Sequence, residues 1–206
     1  MTIIAKQNIE NITFEPIPEG VHLAVCYAVI DLGLQYSEKF DKYSRQLVIM
    51  WEIPNEKIDT EDGQKPKVLS KIFTNSLSEK ANLKKCLESW RGKKFGEEEL
   101  KGFDMVNILK KGCQLQVLHS EKNGKTYTNI ASFMALPKGV KTPEPENKII
   151  YFDLSYGDNN LEVLKVEMKK LPEWIQNLIK ESQTYKDLIS PPILVNESDF
   201  IENPEI

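Results

Sequence analysis

A mainly β fold with added helices is predicted by three features: short runs with period-two alternation of apolar residues, one stretch of helical spacing in their midst, and an Asn-Gly turn between the last two runs. In chain order they give three strands, a helix, and two strands in a hairpin. The 206 residues, 40% hydrophobic and 28% charged, suit a folded chain of one domain with additions or two small ones.

The first twenty residues are polar and carry Pro16 and Pro18, which reads as an irregular lead-in. From Val21 to Gly33 the chain is β-branched and apolar on both faces, as in a long strand that bends, with Gly33 placed for a bulge. Arg45 to Ile53 alternates: Leu47, Ile49, Trp51 and Ile53 share a core face, and Pro54 closes the strand. Asp62-Gly63 is a turn signal before a third strand from Leu69 to Leu77. Ser76-Leu-Ser-Glu79 fits a capping box, and Ala81, Leu83, Cys86, Leu87 and Trp90 follow at helical spacing up to Gly92. A short helical piece is expected between Glu97 and Lys111, capped by Asp104 and ended by Gly112. Cys113–His119 and Thr126–Leu136 form the last hairpin around Asn123-Gly124.

This order matches a five-stranded OB-type barrel, with its helix between strands three and four; another small α+β sheet shares the same element order. The barrel domain is assigned to residues 1–137. Residues 138–206 are read as a linker, a further short strand near Ile149–Leu154, one amphipathic helix at Pro172–Lys180 and an acidic tail.

The chain has no phosphate-binding glycine loop, Gly-x-Ser-x-Gly or HExxH, so no enzyme is expected. Glu52 lies within a strand, and a rim or solvent-facing place outweighs a catalytic carboxylate. Cys26, Cys86 and Cys113 form no CxxC pair and read as small buried side chains, while His22 and His119 lack helper ligands. No metal or other cofactor is expected. No apolar stretch reaches membrane-span length, and Met1–Lys6 lacks the pattern of a signal peptide, which points to the cytoplasm and no membrane partner.

The net charge of −4 is uneven. Residues 1–141 hold 21 Lys+Arg against 18 Asp+Glu, and residues 142–206 hold 6 against 13. A slightly basic body with an acidic tail fits a nucleic-acid partner. Single strands are held by stacking on aromatic rings beside cations that follow the phosphates. The candidates are Tyr36, Lys39, Lys42, Tyr43 and Arg45 after the first strand, Lys71 and Phe73 on the third, Lys122 and Lys125 at the last hairpin, and Tyr127 and Asn129 on the fifth. Phe73 and Tyr127 fit core or binding roles equally, whereas Trp51, Trp90 and Phe133 read as core. The pairs Lys84-Lys85, Lys93-Lys94 and Lys110-Lys111 read as solvated faces.

Val29-Ile-Asp-Leu-Gly, Trp51-Glu-Ile-Pro, Ser70-Lys-Ile-Phe-Thr-Asn-Ser-Leu, Leu87-Glu-Ser-Trp-Arg-Gly, Gly102-Phe-Asp, Tyr127-Thr-Asn-Ile and Leu171-Pro-Glu-Trp-Ile form a recognisable set. Together these stretches resemble a group of tailed-phage and prophage single-stranded DNA-binding, replication-associated proteins. The resemblance spans about Gly20 to Ser182 and implies coating of single-stranded DNA during phage replication or recombination, in the host cytoplasm. Phe200 and Ile201, among carboxylates, are similar in character to bacterial tails that recruit replication proteins, although the pair is not terminal here. A solubilising tail is the other reading. Exposed sheet edges also suit pairing into a homodimer. A protein-interaction module on the same barrel, for assembly or regulation, is the alternative to DNA binding.

Overall fold

The computed structural model describes residues 15–60 and 63–190. Its strands are β1 (Gly20–Ser37), β2 (Lys42–Thr60), β3 (Gly63–Thr74), β4 (Gly112–Lys122), β5 (Lys125–Met134) and β6 (Ile150–Phe152). Its helices are α1 (Asn82–Arg91), α2 (Glu97–Lys101), α3 (Tyr156–Asn159), α4 (Leu161–Met168), α5 (Glu173–Glu181) and α6 (Gln183–Ile189), with 3₁₀ turns at Glu38–Phe40 and Met105–Ile108. The sheet order is β3-β2-β1-β4-β5, antiparallel throughout, with β6 added in parallel beside β1. The sheet is mainly β, open, and compatible with a barrel. Its two edges, β3 and β5, meet through side chains: Lys71 Nζ donates to the Ile130 carbonyl at 3.0 Å, and the Phe73 and Phe133 rings lie 6.2 Å apart.

The apolar character of both faces of β1 has a clear cause. Its register shifts between Cys26 and Ala28, so Ala24 and Cys26 face one core before the bulge and Val29 faces it afterwards. Tyr27, Ala28, Ile30 and Leu32 face a second core on the other side. The first core holds Leu47, Ile49, Trp51 and Ile53 of β2 with the inward stripe of α1, and Trp51 lies 5.7 Å from Trp90 and 5.2 Å from Phe133. The second core packs Val48 and Met50 under Phe152, Leu164, Ile175 and Ile179. Residues 150–189 therefore supply a strand and four helices, where the sequence pattern anticipates a short strand and one helix, and they cover the outer face of β1 and β2. A second register shift, between Asp31 and Gly33, falls where the glycine has φ +73°. A Cβ there would come within 2.8 Å of Ser182 Oγ, so the position needs glycine for both reasons.

Several local expectations need correction. Strand β2 continues past Pro54 to Thr60, because a register shift between Ile53 and Lys57 removes the need for a ladder donor there. Strand β3 ends at Thr74 rather than Leu77. The Ser76–Glu79 motif does not cap α1, which starts at Asn82 without a side-chain cap; Glu79 instead pairs with Lys84. Gly112 opens β4 rather than ending a helix, while Asp104 does cap its turn by accepting from Val106 N at 2.9 Å. Glu52 is fully buried rather than on a rim. Its carboxylate accepts from the backbone N–H groups of Glu146 (2.9 Å) and Asn147 (2.5 Å) and from the Asn147 side-chain amide, which clasps the crossing loop to the sheet. At the last hairpin Asn123 and Gly124 both have positive φ, as their turn type demands. No helix among the described residues is long and apolar enough to cross a membrane.

Lys110 has φ 60°, a left-handed conformation that crowds its Cβ. Its N–H is held by the Cys26 carbonyl at 2.8 Å, which fixes the strained turn before β4. Lys110→Gly is expected to gain about 1 kcal/mol, read as a rise of about 2–4 °C in Tm by thermal melting. A fall in Tm would mean that contacts of the lysine stem outweigh the relieved crowding.

Candidate nucleic-acid interface

The β1–β2 hairpin projects beyond the end of β3, since β3 finishes where Thr74 pairs with Gln46. At its tip Tyr36 stands opposite Tyr43, with ring centroids 5.2 Å apart and about half of each residue exposed. Phe40 is 63% exposed, and the Lys39 and Lys42 amines lie 5.4 and 5.9 Å from its ring centroid. The Tyr36 hydroxyl donates to Asp41 at 2.6 Å, which pushes the phenol pKa above its usual value and fixes the ring. Three exposed aromatic rings thus converge on one turn. Glu38 and Asp41 share that turn and offset its two lysines, so the tip offers stacking surface more than charge.

The charge lies next to it. Two adjoining clefts, of about 500 and 320 Å³, share Lys71, Phe73 and Asn82 and run along the seam between β3, α1 and β5. Lys42, Lys71 and Lys80 line the first, and Lys71 and Lys85 the second. No Asp or Glu lines either cleft among the described residues. The remaining polar groups are neutral, including Gln46, Thr74, Asn82, Ser89 and Ser132. Helix α1 produces this sorting. Lys84 points inward, buried and paired with Glu79, and this ion pair draws the Glu79 carboxyl below its usual pKa. The adjacent Lys85 is left exposed on the groove side.

The candidates named from sequence separate into three groups. Tyr36, Lys39, Lys42 and Tyr43 come together at the hairpin tip, and Lys42 also reaches the groove. Lys71 lines the groove, but its amine bonds the Ile130 carbonyl across the seam and lies 5.4 Å from the Phe133 ring centroid, so it links the two open edges by a side chain. Phe73 is a correction: it is 4% exposed and faces the first core opposite Leu47, because period-two alternation puts it on the inner face of β3. Arg45 is held by neighbouring chain segments rather than standing free in the loop. Its guanidinium makes two bonds to Asp31 (3.1 and 2.5 Å) and lies 3.7 Å from Asp153, so nearby carboxylates already engage it.

Lys122, Lys125, Tyr127 and Asn129 lie on the β4–β5 hairpin. That hairpin sits by the far end of β2 and β3, where Thr126 and Thr128 share a cleft with Ile58 and Pro66. They do not join the groove. Tyr127 is 47% exposed, and the Asn129 amide is used by Ser120 Oγ and the Tyr127 carbonyl. Phe200 and Ile201 fall outside the described residues. Sequence reasoning missed Phe40, Lys80 and Lys85. Phe40 stood between two chosen tyrosines, and Lys85 could be told from Lys84 only by orienting the helix on its apolar stripe.

The three cysteines are buried in the first core, and burial pushes their thiol pKa values up, that of Cys86 to about 12. His22 and His119 are tied to backbone carbonyls of Pro18 and Ile17. No group of three or more His, Cys, Asp or Glu side chains able to hold a metal occurs among the described residues. No protein-family model matches the sequence, and a comparison with curated proteins finds no match.

Proposed function

We propose that the chain is a non-enzymatic single-stranded DNA-binding protein built on an OB-type barrel, acting where transient single strands arise in replication or recombination. Support for the barrel is the strand order, with β1 shared between β2 and β4 and α1 placed between β3 and β4. The outer face of β1 and β2 carries the C-terminal helices, which supports the β3–α1–β5 seam as the proposed path of the single strand. The observation that carries the reading is the groove lined by Lys42, Lys71, Lys80 and Lys85, with no carboxylate in its lining among the described residues. Phosphates follow these lysines, and bases stack on Tyr36, Phe40 and Tyr43 at the groove's end.

Titration of a labelled oligonucleotide of about thirty bases over a salt series tests this. Four phosphate contacts give a slope of log K on log salt near −3, from about −0.7 per contact on single strands. Absence of binding at low salt would sink the reading. A protein-interaction role is favoured by one observation, the exposed Val163, Val166 and Trp174 on α4 and α5. Salt-insensitive capture of a single protein, free of nucleic acid, would support it instead.

A further inference from the structure

The lysine pairs Lys93-Lys94 and Lys110-Lys111 look unrelated in sequence, yet the fold brings Lys93 and Lys111 to one pocket of about 350 Å³. Trp90, Phe103 and Ile108 give it an apolar wall, and Asn107 adds a neutral polar group. No carboxylate lines it among the described residues.

The pocket is built rather than incidental. The Arg91 guanidinium lies 4.4 Å from the Phe95 ring centroid and 5.2 Å from that of Phe103, and bonds the Glu99 carboxylate. Phe95 and Phe103 meet edge to face at 5.2 Å. Arg91 also lines the pocket, but its guanidinium is engaged by Phe95, Phe103 and Glu99, and among the described residues Lys93 and Lys111 carry no ion pair. Lys111 is fixed through its backbone: its N–H donates to the Ile108 carbonyl at 3.2 Å, and its carbonyl accepts from Cys26 N at 3.1 Å. The strained left-handed turn at Lys110 comes just before it.

The pocket lies at the end of the helix that walls the seam groove, although the two share no lining residue. Lys85 and Ser89 lie one turn apart on the groove side of α1, and Lys93 follows directly after the Gly92 cap that ends the helix. We infer that this pocket is a second contact for the same single strand, taking one nucleotide with its base against Phe103 and its phosphate between Lys93 and Lys111. This rests on the reading of the groove as a single-strand path. Long strands then reach the pocket, and short strands fill the groove alone.

The test is Lys93→Ala/Lys111→Ala, compared with the unaltered protein and with Lys180→Ala/Lys186→Ala, which removes equal charge from exposed positions on α5 and α6. Fluorescence anisotropy is read with oligonucleotides of about six and about twenty bases, lengths that bracket the site size of a single module. For the long strand the pocket variant should lose about 1.4 from the salt slope and bind about 25-fold more weakly at about 0.1 M salt. The short strand should bind as before, and the control variant should match the unaltered protein at both lengths. Unchanged long-strand binding, as expected if the pocket serves an acidic peptide, would overturn the inference. So would equal weakening at both lengths or in the control. Failure of the unaltered protein to bind either length is a separate result, which would remove the groove reading itself.

Discussion

Raising the pH from about 8.5 to about 9.5 should cost the protein about 3 kcal/mol of folding stability, through the three buried thiols. Cys26, Cys86 and Cys113 sit in the first core, and desolvation is the leading reason that their pKa values rise, Cys86 to about 12. Unfolded thiols titrate near about 8.5. Above that pH the unfolded chain releases protons that the folded chain retains. The folded state then binds more protons, so stability falls as pH rises, by about 1 kcal/mol for each thiol over the first unit above the unfolded value and approaching about 1.4 kcal/mol per unit beyond it. The stabilisation is fully present below the unfolded value and is lost as pH climbs toward the folded one. Tyr27, raised to about 12 by burial and the nearby Glu52 charge, adds to the loss above about pH 10. Urea melts at about pH 7.5, 8.5 and 9.5 should show a falling midpoint with a constant m-value. Cys113→Ala should flatten the pH slope by about a third. A midpoint that stays level through this range would mean that the thiols ionise within the folded protein.

Much of the strand order could be read from sequence because its signals are local. Alternation placed Leu47, Ile49, Trp51 and Ile53 on a core face, and Asn123-Gly124 supplied a turn that only positive φ satisfies. The errors come from information that local pattern lacks. Phe73 and Lys71 form an alternating set on β3, and only the register with Leu47 and Ile49 shows that this set faces inward. Arg45 looked like a loop cation, but its Asp31 partner lies on the neighbouring strand. The C-terminal layer left a trace in the sequence, since both faces of β1 are apolar and Val48 and Met50 alternate with the first-core residues of β2. That trace also fits a strand bending within a barrel, and only the packing of residues 150–189 separates the two explanations. The groove was partly legible: Lys42 and Lys71 were named, while Lys80 and Lys85 depended on the orientation of α1.

Replacing Lys42, Lys80 and Lys85 together with alanine should weaken single-strand binding about 100-fold at about 0.1 M salt and make the salt slope shallower by about 2. Lys71 is left intact because its amine bridges β3 to the Ile130 carbonyl, and its loss would alter the sheet as well as the charge. Lys42, Lys80 and Lys85 are exposed and outside any ion pair among the described residues, so their removal leaves the core contacts in place. Each lysine that neutralises a phosphate releases counterions, and this is why its effect grows as salt falls. The aromatic tip should behave differently. Tyr43→Ala removes one face of the Tyr36–Tyr43 pair and should cost about 1–3 kcal/mol per stacked base, with the salt slope unchanged. Measuring both variants over one salt series separates the two contributions. A triple variant that binds as tightly as the parent would place the phosphate path elsewhere on the molecule. A Tyr43→Ala variant that changes the slope, rather than the affinity at fixed salt, would mean that the tip acts by positioning Lys42 beside Phe40 and not by stacking on bases.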